Sequence, residues 1–350
     1  MAPRTMTKTT RHRRALLLAV LGSATAMTAA CSGPGGVELG KDWKGSTTFA
    51  VAKVDGLVTV VGINPDKARA ESLAVVPQQS DDTDAVSPHI VELADGRWIL
   101  TVPRKSDKPD RRYQVNRKDH ALDGMTGDER LRRILPGKTL VAEVAGLPDT
   151  TSSGKTAASS VLVKDPSDWT TKRELKIPGT IGLAASDPAS DTVCLAADTK
   201  VYVADLTHGT VTPVPSPNGV DINNLACSGG HPVIVGSPTS GHSSTLKTTV
   251  TRTPAATTVS VNGGRADAVA ATGSSIVIAA STGSDTELLE LDATTGKELH
   301  RARVKGVASA LGLTPTPAGW LVYTEKTVTR VNLTTGATKE FDLPGTLLNS

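Results

Sequence analysis

Three cysteines, Cys31, Cys194 and Cys227, and seven histidines are the side chains of this sequence best suited to acyl, metal or thiol chemistry. A nucleophile elbow needs Gly-x-Ser-x-Gly to present a strained serine, and no such run occurs. A helical zinc site needs two histidines one turn apart, whereas the histidines here are scattered. Neither Cys194 nor Cys227 belongs to a Cys-x-x-Cys pair and only His231 stands near them, which argues against a metal site. In an oxidising compartment these two cysteines are expected to pair, with two buried thiols as the alternative. No P-loop, EF-hand or dinucleotide fingerprint is present, and Asp165-Pro166-Ser167-Asp168-Trp169 reads as a turn. Four Trp, three Tyr and two Phe are too few to build the stacking platforms that nucleic acids and sugars use, so nucleic acid is not an expected partner. No catalytic residue, metal ligand set or cofactor is assigned from the sequence.

Cys31 has a different context. Arg4, Lys8, Arg11, Arg13 and Arg14 precede an apolar stretch from Ala15 to about Ala30, with no anion among them. Removing the first 30 residues turns a formal charge of +3 into 33 cations against 35 anions, a net −2. A basic run, an apolar run and then small residues are the parts of an export signal, and the apolar run is too short and interrupted for a transmembrane helix. Thr28-Ala29-Ala30-Cys31 resembles the lipobox of bacterial lipoproteins of the actinobacterial type, with Thr28 where that family usually has Leu. The resemblance implies a diacylglycerol on the Cys31 thiol, a signal peptide over 1–30 and a flexible tether over 31–45, rich in glycine at Gly33-Pro34-Gly35-Gly36. A soluble secreted protein cleaved after Ala30 is the alternative. Arg13-Arg14 faintly resembles a twin-arginine signal, so the export route stays open.

The elements that must position any site follow from a repeat. Across the 350 residues, an apolar strand-like segment runs into glycine at Gly137, Gly179, Gly219, Gly263, Gly306 and Gly345, at spacings of 42, 40, 44, 43 and 39. Within a unit, four short runs recur: Ala266 to Ala271, Ser275 to Ala280, Glu287 to Asp292 and Glu298 to Val304. Ile181 to Val214 and Ala308 to Leu343 repeat the plan, the latter with a first strand expected at Ala308 to Leu313. The best helix candidate, Asp128 to Leu135, is short. Four strands in 40–45 residues, repeated around a ring, are the pattern of a propeller, because a four-stranded sheet that is apolar on both faces must stack against neighbours. The fold class expected is therefore all-β, a seven-bladed β-propeller of four-stranded antiparallel blades. The ring is expected to be closed by the C-terminal strand, Thr346 to Ser350, beside Thr47 to Lys53.

Leu288-Leu289-Glu290-Leu291-Asp292-Ala293-Thr294-Thr295-Gly296-Lys297-Glu298-Leu299 resembles the strand-turn-strand of PQQ-like and YVTN-type seven-bladed propellers, and Lys200 to Gly209 and Val328 to Gly336 are weaker copies. That resemblance specifies a fold over residues 46–350 and little about activity. The segment from Arg104 to Arg133 carries ten cations and six anions and is expected as a charged insertion on one face of the ring. Arg111, Arg112, Arg117 and Lys118 within it are the candidate partner-binding residues, with a solvated loop as the alternative. Trp98 and Trp320 open second strands and are expected to pack between blades. The function expected is a non-catalytic scaffold, monomeric, held at the outer face of the cell membrane by its lipid and binding a protein or a small molecule. The alternative is a hydrolase resembling propeller lactonases, with a divalent metal in the central channel.

Overall fold

The structure is a computed structural model that describes residues 43, 45–77, 88–104, 110–119, 121–125, 133–145, 158–216, 219–238, 245–252, 255–262 and 265–350. The described residues form strands joined by turns, with no helix among them. The strands build seven antiparallel sheets of four strands each. Blade 2 comprises His89–Glu92, Trp98–Val102, Arg111–Asn116 and Ala121–Met125. Blade 3 comprises Arg133–Pro136, Val141–Ala145, Ala158–Lys164 and Thr171–Pro178. Blades 4 to 7 follow in the same way, starting with the inner strands Ile181–Asp187, Val220–Ser228, Arg265–Ala271 and Gly312–Thr316. In blade 1, Thr346–Asn349 lies beside Thr48–Val54, followed by Leu57–Asn64 and Arg69–Val75.

Burial follows the radius of the ring. Inner strands are half-exposed along the axis, as in Ile181–Asp187 and Gly312–Thr316. Second strands are sealed: every residue of Trp98–Val102 is buried, as are Ser275 to Ala280. Outer strands such as Thr210–Val214 and Thr338–Asp342 are open to water. The sequence dictates this order, since a strand buried on both faces needs a continuous apolar run and an outer strand can be polar.

Successive side chains of a strand point to opposite faces, so each second strand feeds two cores. Ile276, Ile278 and Ala280 pack against blade 5, while Val277 and Ala279 pack against blade 7. Trp320 and Val322 join the core between blades 6 and 7, and Leu321 and Tyr323 the core between blades 7 and 1. A hydrophobic cluster fills each junction of neighbouring sheets around the ring, including the smallest, Leu93, Ile99, Ile134 and Val141, between blades 2 and 3. Trp98 stacks edge-on against Phe49, 5.2 Å between ring centroids, in the core between blades 1 and 2.

Six sheets are contiguous in the chain, and the remaining one is a composite of three N-terminal strands and Thr346–Asn349. In that composite the pairing of Val51 to Lys53 with the tail is interrupted by a bulge. The layout corrects the sequence reading of the fold in three places. The inner strand of blade 7 is Gly312–Thr316 rather than Ala308 to Leu313; Val307 and Ala310 are apolar because they plug the core between blades 6 and 7 from a loop. The segment expected as a charged insertion carries Arg111–Asn116 and Ala121–Met125, the two outer strands of blade 2. Of the expected helix, Arg133–Pro136 is a strand and 128–132 lie outside the described residues. The strand wins because Ile134 and Leu135 enter cores on opposite sides of blade 3, which a period of two satisfies and a helical period does not.

Candidate functional site

Cys194 and Cys227 form a disulfide with Cα atoms 5.6 Å apart. Cys194 lies on the second strand of blade 4, Thr192–Ala197, and Cys227 on the inner strand of blade 5, so the bond crosses a blade junction within its hydrophobic core. Cys31, the signal-like segment and residues 32–42 and 44 of the expected tether lie outside the described residues, whereas Trp43 is buried in the core between blades 1 and 2.

The four basic residues singled out in the sequence are placed in different surroundings. Arg112 is 4% exposed, and its Nη2 lies 2.7 Å from Oε1 of Glu143 on the neighbouring blade. Lys164 Nζ approaches the other oxygen of Glu143, also at 2.7 Å, and the Arg112 guanidinium lies 4.5 Å above the Trp169 ring. These are contacts of charge: the guanidinium and carboxylate atoms fall outside hydrogen-bonding angles despite their short separation. Arg117 donates to Ser46 O at 2.7 Å and Arg111 to Pro77 O at 3.4 Å, both fixing blade 2 to blade 1. Lys118 is exposed in the turn that follows.

Residues far apart in the chain meet around the axis. Inner strands have an unpaired edge, which must find polar partners or water. Side chains of adjacent blades supply several of them. Asn349 Oδ1 of blade 1 accepts from Ile90 N of blade 2 at 3.0 Å. His89 of blade 2 hydrogen-bonds Asn349 and the backbone of Ile134 in blade 3. Arg133 of blade 3 donates from Nη1 to Ala184 O of blade 4 at 3.2 Å, and Asn224 Nδ2 of blade 5 donates to Ala266 O of blade 6 at 3.0 Å. Burial and the positive charge of Arg133 push the His89 imidazole down to about 4, so it is neutral near pH 7. Burial also lowers Arg133. Sequence reasoning did not find this group; its only signal is a polar residue in each of several inner strands, His89 and Arg133 at the start of theirs and Asn349 at the end of its own.

A concavity of about 600 Å³ lies between the blade 6 to blade 7 connection and the Thr324 to Thr327 turn, lined by Ser309, Leu311, Glu325, Lys326 and Glu340 among others. The turn is anchored to the tail by Leu347 N donating to Glu325 O at 2.7 Å and Leu343 N to Lys326 O at 2.8 Å. Among the described residues no group of three or more His, Cys, Asp or Glu is arranged to hold a metal ion.

With this geometry in view, comparison with solved structures gives a fold. Apo AztD from Citrobacter koseri superposes with a TM-score of 0.51 at 12% identity, over 85% of this chain and 84% of that one. Hydrazine synthase of Kuenenia stuttgartiensis superposes with a TM-score of 0.51 at 11% identity, over 89% of this chain and 99% of that one. The chain is a β-propeller. At such low identity the likeness concerns the fold alone. No protein-family model and no curated protein sequence matches the chain.

Proposed function

We propose that this propeller is an exported, lipid-tethered binding scaffold that recognises a protein or a small molecule without transforming it. The observation that carries the binding half is the contrast at the axis: inner strands half-exposed and edged with His89, Arg133 and Asn349, against second strands sealed in apolar cores. Polar groups held in fixed positions by a rigid ring are what specific recognition requires. Export is supported by the disulfide, a bond at home in oxidising compartments. The tether is the Cys31 thiol, whose place directly after the apolar run matches a lipid acceptor.

Fractionation of cells expressing the wild type and Cys31→Ser tests the tether. The wild type is expected in the membrane pellet and the variant in the soluble extracytoplasmic fraction; equal retention of both contradicts the proposal. Native purification from those membranes tests the binding half, with a stoichiometric protein or small molecule expected to come away only on denaturation.

A further inference from the structure

We propose that the axial channel holds an oxyanion, a carboxylate or phosphate group, in the fork of Arg133 with His89 beside it. The inference rests on the binding reading above and names the ligand class for it. A guanidinium presents five N–H donors in a planar fork. In Arg133 one nitrogen, Nη1, is committed to Ala184 O, and among the described residues no carboxylate forms an ion pair with the group. Burial is the cause that perturbs it. A half-buried cation without a counter-charge is unfavourable, and it stands on the inner strand of blade 3, packed between the inner strands of blades 2 and 4.

The neighbours suit an anion. Glu143, the buried carboxylate of the same blade, is already engaged by Arg112 and Lys164. His89 is near enough for the Arg133 charge to act on its ring, and its position is fixed from two sides by Asn349 and Ile134. Glu92, further along the His89 strand, is raised above the ordinary carboxylate range by burial, against the opposing charge of Arg117. Arginine matches the bidentate geometry of carboxylate and phosphate oxygens better than lysine does. An anion bound there also offsets the repulsion between Arg133 and a protonated His89, so binding and histidine protonation are coupled.

The coupling provides the test. The full chain, labelled at histidine Cε1, is titrated with inorganic phosphate and separately with acetate, and the His89 resonance, assigned from His89→Gln, is followed between pH 4 and 7. A saturable shift of His89 with a rise in its titration midpoint is expected. Arg133→Gln should weaken the midpoint concentration at least tenfold, and Arg133→Lys, which keeps the charge but loses the fork, should fall between. Tighter response to phosphate than to acetate assigns a phosphate-bearing ligand, and the reverse a carboxylate. No saturable change at His89 with either anion in the wild type overturns the proposal whether or not the variants fold. So does an unchanged response in a folded Arg133→Gln. Either failure leaves the membrane fractionation result of Cys31→Ser untouched, so the two readings fall separately.

Discussion

Glu143 is fully buried between two cations, Arg112 and Lys164, and joins blade 3 to blade 2 through charge. Desolvating three charges is costly, and removing the central one leaves two buried cations uncompensated. Glu143→Gln is therefore expected to destabilise the protein by about 3 to 5 kcal/mol, read as a lower urea midpoint. Replacing all three residues by apolar ones of similar volume should recover much of that loss; an unchanged midpoint in Glu143→Gln refutes the account. Asp191 works at the next junction. Burial opposes its charge, but hydrogen bonds from Thr139 N at 2.7 Å, Thr139 Oγ1 at 2.5 Å, Leu140 N at 2.9 Å and Thr207 Oγ1 at 3.3 Å prevail and hold it below the ordinary 3.8. The folded carboxyl being the stronger acid, its contribution is complete above pH 3.8 and is lost as pH falls through the lower folded value. Asp191→Asn should lower the melting temperature near pH 6 and flatten its decline in acid; an acid limb as steep as that of the wild type contradicts this.

At the scale of elements, the turn from Gly312–Thr316 to Gly319–Tyr323 depends on one glycine. Gly319 has φ +121°, and a Cβ there would meet Val331 O at 2.4 Å. Gly319→Ala should cost about 1 to 3 kcal/mol, because both the backbone conformation and the close approach exclude a side chain; a chemical-denaturation midpoint equal to that of the wild type would refute it. The second strands were legible in the sequence since their burial on both faces demands runs such as Ser275 to Ala280. The junction of blades 2 and 3 was not. Charged residues read as solvated, and there Arg112, Glu143 and Lys164 are buried because they neutralise one another across the blades. A glutamate within the apolar run Val141–Ala145 was the available clue. The inner group of His89, Arg133 and Asn349 was beyond sequence reasoning for another reason: residues so far apart become neighbours only when the ring brings inner strands together.

For the whole molecule, the sheets share their cores pairwise around the axis, so loosening one junction exposes apolar surface on two blades. The Cys194–Cys227 bond spans one such junction, closing a chain segment of 33 residues, and the chain-entropy model gives about 3 to 4 kcal/mol for a loop of that size. The bond also ties the fold to its location, because it persists where thiols are oxidised. The intact mass of the protein extracted from membranes, taken before and after reduction, joins these points in a single measurement. The account predicts a chain beginning at Cys31, carrying a diacylglycerol and gaining the mass of two hydrogen atoms on reduction. An unmodified chain that retains residues 1–30, or one whose mass does not change on reduction, would contradict an exported, tethered and disulfide-locked propeller.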